Sequence, residues 1–150
     1  MLGLWEIKML SGIILIIFLL LSTVTDLKEK KIYLKLSVIF FIAGILLDSF
    51  NLNISLYDAI FAMTIGFALI GISFLTREKI GIGDGIVFCV TGVYLGFWGN
   101  LFLLTAAFFL SACFSAGALI LRKADRTSRI PMLPFILIPA IYEIFIMGAL

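Results

Sequence analysis

The sequence predicts an all-α bundle that crosses a membrane about six times, and three observations carry that expectation. The 150 residues are 63% hydrophobic and only 13% charged, with a mean hydropathy of +1.26, whereas a water-soluble domain of this size needs a far more polar surface. Apolar residues follow one another in continuous runs, which excludes alternating barrel strands, and a bilayer then leaves the helix as the way to pair every backbone group. Basic residues, finally, gather on every second connection.

Apolar runs of membrane length or a little less lie at Met9 to Val24, Leu34 to Phe50, Ala59 to Leu75, Ile86 to Trp98, Leu101 to Leu121 and Met132 to Leu150. The first resembles a cleaved signal segment, but its run is long, Glu6 and Lys8 interrupt its start, and no small-x-small cleavage pattern follows; it is read as a span. The fourth is short, about 14 residues from Asp84 to Trp98, or roughly 21 Å of helix against a hydrocarbon layer of about 30 Å. With Trp98 at one interface, Asp84 falls below the opposite surface. Gly92 and Gly96 on this span read as a small-residue pair for close helix packing. Pro131 and Pro134 start the sixth span, and Pro139 bends it.

Lys28, Lys30, Lys31, Lys35, Arg77, Lys79, Arg122, Lys123, Arg126 and Arg129 occupy alternate connections; of the eleven basic residues only Lys8 does not. The positive-inside rule places the segments around Asp26 to Lys35, Thr76 to Asp84 and Arg122 to Ile130 in the cytoplasm and both termini outside. No linker, low-complexity tract or repeat divides the chain, so residues 1–150 read as a single membrane-embedded domain whose partner is membrane lipid. A net charge of +2 gives no reason to expect nucleic acid. Cys89 and Cys113 fall singly inside apolar runs and read as small hydrophobes. With no His either, no metal site and no cofactor are expected, and the fifteen Phe read as packing.

Of nine carboxylates, Glu29, Glu78 and Asp125 sit among basic loop residues, and Glu6, Asp48 and Asp58 lie near the outer face. Three remain: Asp26 at the end of the first span, Asp84 at the start of the fourth, and Glu143 inside the sixth. Glu143 is assigned a structural role, protonated or paired with a polar neighbour such as Lys8. Asp84 stands among Gly81, Gly83 and Gly85, which permit close backbone approach, and Asp26 follows the polar stretch Ser22-Thr23-Val24-Thr25. By the topology above, both acids converge on one side. Two carboxyls a few ångströms apart share a proton, and such a pair can activate water and protonate a carbonyl. From spacing alone a helix cap is the commoner role for Asp84 and catalysis the other.

The segment Gly81-x-Gly83-Asp84, together with Thr25-Asp26 and Ile32, resembles the type IV prepilin peptidase family, part of the wider GxGD group of membrane aspartic proteases. Gly92, Gly96 and the stretch Ile130-Pro131-Met132-Leu133-Pro134-Phe135 extend the likeness over nearly the whole peptidase domain. The resemblance implies an aspartic endopeptidase of a prokaryotic cytoplasmic membrane that removes a short basic leader from type IV pilin-like precursors. Asp26 and Asp84 would be its catalytic pair, with Gly81, Gly83, Gly85, Ile32, Pro131 and Pro134 shaping the site. Tyr33-Leu34 stands where the family often has Pro-Asn, and Ile86 where it often has Lys; these departures bear on substrate preference and leave the acids intact. Larger relatives carry a cysteine-bearing cytoplasmic region associated with methylation, so a peptidase-only form is expected. A proton- or ion-coupled transporter or a non-catalytic assembly factor are the competing readings. Transporters, however, spread acids through the bundle and repeat a half.

Overall fold

The computed structural model describes residues 4–29, 33–51, 56–76, 81–120 and 132–147, and among them every regular element is helical. They are α1 (Leu4–Glu29), α2 (Leu34–Asn51), α3 (Leu56–Leu75), α4 (Ile82–Ile120) and α5 (Leu133–Tyr142), the last continued by one π-helical turn, Glu143–Met147. Two helices are long and apolar enough to cross a membrane by themselves, over Lys8–Lys28 and Ile82–Ile120; shorter apolar helices cover Leu34–Leu47, Ile60–Leu75 and Leu133–Phe145. Hydrophobic side chains fill the inside, with Leu15, Phe18, Phe88, Leu103 and Ile136 fully buried, and they also clothe the outside, with Phe67, Phe74 and Phe109 more than 60% exposed. That distribution is stable only where the surroundings are as apolar as the core.

The 39 residues of α4 unite the fourth and fifth expected spans, and the chain folds back between them. Gly96 has φ 69° and ψ −174°, a conformation costly for any residue with a Cβ. Contacts across the bend exclude a straight rod. The Thr91 hydroxyl donates to Asn100 Oδ1 at 2.8 Å, although nine residues of straight helix would span roughly 13.5 Å. The ring of Phe114 packs at a tilt against Phe135 near the start of α5, their centroids 5.3 Å apart. Gly96, expected to pack a helix face, instead makes this turn: a Cβ there would meet nothing within 4 Å. Gly92 does pack, its Cα facing the carbonyl of Ala62 on α3.

Small residues set the helix spacing. Gly66 on α3 lies against the backbone of Gly85 and Cys89 on α4, Gly44 on α2 lies under the ring of Tyr94, and Gly12 on α1 lies under Ile144. Buried Asn100 ties three segments together, donating from Nδ2 to the carbonyls of Ala62 (3.1 Å) and Phe88 (2.9 Å) while accepting from Thr91. Every polar atom of that side chain is matched, as an apolar interior demands. Cys89 and Cys113 are free thiols. At the last helix, Pro134 occupies the first turn, where its missing N–H is harmless, while Pro139 lies in the interior and leaves a ladder bond unmade. The π-helical turn begins four residues later.

Candidate active site

Heights along the bundle follow from two contacts at one level. The rings of Phe18 on α1 and Phe40 on α2 lie 5.2 Å apart, and the Tyr94 hydroxyl of α4 donates to the Phe40 carbonyl at 2.7 Å. From that level Asp26 is eight residues along α1, roughly 12 Å, and Asp84 is ten residues back along α4, roughly 15 Å. The two acids therefore occupy one layer, on helices separated by more than fifty residues of sequence. They also interact: the charge of Asp26 acts on the carboxyl of Asp84.

Each acid is held by a backbone amide. Asp84 lies in the first turn of α4, and its own N–H bonds the Gly81 carbonyl at 3.1 Å. Its carboxylate in turn accepts from the Gly81 N–H. This reciprocal arrangement puts Gly81 at the cap position and Asp84 three residues in, so the side chain reaches back to the helix start. A Cβ on Gly81 would stand 3.1 Å from Asp84 Oδ2, which is why the bare glycine suits the position. Gly83 is half-buried beside the acid, and Gly85 is buried against α3, where a Cβ would come 3.0 Å from both the Gly66 carbonyl and the Ile70 nitrogen. The glycine on one side of Asp84 frees its carboxyl, and that on the other seats its helix.

Asp26 lies in the last turns of α1, beyond the apolar run that ends at Val24, because the helix continues to Glu29 after the sequence turns polar. Its carboxylate accepts from the backbone N–H of Leu133, the first residue of α5. Pro134 follows directly and fixes the start of that helix, so the proline-containing segment meets Asp26 through its neighbour's amide. Both acids are half-buried and keep an open side. Ile32 and Pro131, also expected at the site, lie outside the described residues. Sequence reasoning did not single out the amide of Leu133, since a main-chain donor leaves no trace in residue type. Glu143 stands apart, against Gly99 beyond the α4 turn, with Oε2 buried and unpartnered.

The type IV leader peptidase family model matches residues 13–116, a stretch that contains both aspartates, the glycines around Asp84 and both limbs of α4. The chain belongs to the type IV leader peptidase family. It is thus a leader-peptidase-like protease with apolar helices suited to a membrane. No curated protein and no solved structure matches it significantly. The family match ends before α5, yet in this chain α5 supplies the amide that holds Asp26.

Proposed function

We propose that the protein is an aspartic endopeptidase in which Asp26 and Asp84 act together on one water molecule. The observation that carries this reading is that two carboxyls from distant helices stand at one level of the bundle, near enough for the charge of Asp26 to act on Asp84. One carboxylate takes a proton from water as the oxygen attacks the scissile carbonyl carbon; the other carboxyl gives its proton to the carbonyl oxygen. The tetrahedral intermediate then collapses: the departing amine takes up the proton first abstracted from water, and one hydroxyl of the intermediate returns a proton to the second carboxylate as the new carboxyl group forms. The amides of Gly81 and Leu133 each occupy one acceptor site on these carboxyls, which leaves other lone pairs for the reacting groups.

The reading extends to topology and substrate. Six spans in one membrane-embedded unit, with both termini outside, put the acid layer at the cytoplasmic face, where the basic connections lie. A type IV pilin-like precursor would leave its hydrophobic helix in the bilayer and present its short basic leader there, unwound, because a helical peptide bond is shielded. No methyltransferase activity is assigned.

Asp26→Asn and Asp84→Asn test the pair in purified protein incubated with a precursor and analysed by mass. An amide can neither take nor give the required proton, so each variant should lose at least about 10²-fold in cleavage rate. The double variant should be no slower than either single one, because residues acting as a unit are non-additive. Asp58→Asn, on the exposed start of α3, should cleave normally. Near-parental cleavage by Asp84→Asn would leave that residue a helix-start anchor and nothing more.

A further inference from the structure

Three buried hydroxyls lie just inside the acid layer with no hydrogen-bond partner among protein groups: Ser22 Oγ, Thr23 Oγ1 and Ser37 Oγ. Their residues are 1%, 8% and 2% exposed. Several other hydroxyls among the described residues satisfy themselves on their own helix. Ser11 donates to the Lys8 carbonyl at 2.8 Å, Thr25 to Ser22 at 2.9 Å, Thr105 to Leu101 at 3.1 Å and Ser115 to Ser111 at 2.7 Å. Such a carbonyl, three or four residues back, is within reach of any helical Ser or Thr. Ser22, Thr23 and Ser37 leave it unused.

The register brings two of them together. Phe18 and Phe40 face each other across α1 and α2, which run antiparallel through a short connection. Ser22 lies one turn from Phe18 toward Asp26, and Ser37 lies one turn from Phe40 in the same direction. The two serines therefore share the layer between the aromatic pair and the acids. Ser22 is also four residues before Asp26 and Thr23 three before it, spacings that put their Cβ atoms about 5–6 Å from that of the acid. A single water molecule between them would hydrogen-bond both sides.

We infer that Ser22, Thr23 and Ser37 form a water-binding site behind Asp26, and that its water holds the Asp26 carboxyl in the orientation cleavage requires. A buried neutral site with hydroxyl donors and acceptors suits water, which typically takes two to four polar partners. Residues exposed by only a few per cent are out of reach of a precursor backbone. Ser22 and Ser37 act here as positioning residues. The second half of the inference rests on the acid pair being catalytic; the first half does not.

The test separates the two halves. Ser22→Ala, Ser37→Ala and the double variant are purified as full chains, melted and assayed on a precursor. A water bridging both hydroxyls is lost with either one, so each single variant should melt about 2–4 °C lower and the double variant no lower than the worse single. Melting at or above the parental temperature would overturn the site, since deleting an unpartnered buried hydroxyl stabilises a core. In cleavage, Ser22→Ala should lower kcat about fivefold to tenfold with KM unchanged, and Ser22→Thr, which keeps the hydroxyl, should restore it. An unchanged kcat in Ser22→Ala would break the link to Asp26. If the parental protein cleaves no precursor, the acid-pair reading fails while the melting data still decide the water site.

Discussion

Gly66→Ala offers a measurement of how closely α3 must approach α4 for the acid layer to work. A Cβ at this position would lie 2.6 Å from the Cys89 backbone nitrogen and 2.7 Å from the Gly85 carbonyl, with Cys89 Sγ closer still. Backbone atoms cannot swing aside as a side chain can. Restoring ordinary contact at 3.4 Å requires the helices to part by about 0.8 Å, an overpacking that typically costs about 1–3 kcal/mol. Gly85 is the residue after Asp84, so the displacement passes directly to the acid. A misplacement near 1 Å can cost about 10²-fold in rate; kcat/KM for precursor cleavage should fall about 10- to 100-fold. The melting temperature should drop by a few degrees while the protein remains folded. Gly71→Ala on the same helix is the internal control: a Cβ there meets nothing within 4 Å, and Ala is favoured over Gly in a helix by about 1 kcal/mol. The assay is time-resolved mass analysis of leader loss, with melting followed in parallel. If Gly66→Ala cleaves within twofold of the parental rate, or Gly71→Ala slows as much, close approach at this crossing does not set the position of Asp84.

Other consequences are equally direct. Gly96→Ala places a Cβ at φ 69° and should cost about 1–2 kcal/mol, read as a lower melting temperature; equal stability would mean the α4 bend tolerates another conformation. In a background of Cys89→Ala and Cys113→Ala, Thr25→Cys should react with an impermeant thiol reagent applied from the cytoplasmic side, and labelling solely from the other side would invert the proposed topology. Among the described residues no cluster of three or more acids or cysteines could hold a metal, so cleavage should survive EDTA; loss with EDTA and recovery with a divalent ion would refute a purely aspartic mechanism.

Hydropathy placed the apolar helices, though it divided α4 into two spans, because the length of an apolar run and the spacing of its breaks are properties of the chain alone. They also marked Asp26 and Asp84, since an acid between glycines at the edge of an apolar helix is conspicuous in a sequence with nine carboxylates. Composition likewise dictated that the outside of the bundle be as apolar as its core. Local sequence was a poorer guide to roles that depend on a partner. Gly92 and Gly96 look alike as a pair, yet one packs against Ala62 and the other makes the α4 turn, a difference that resides in their surroundings. The side-chain pairing of Asn100 with Thr91 and with two carbonyls depends on α4 folding back and on α3 lying alongside. Asp26 ends on a helix that continues past its apolar run, and its anchor is a main-chain amide more than a hundred residues away. Periodicity reports which face of a helix is apolar; which neighbour that face meets, and at what height, is decided by packing among helices distant in sequence. The sequence thus marked the apolar helices and singled out two acids, and only the tertiary structure brought those acids into one layer and gave each an amide to hold it.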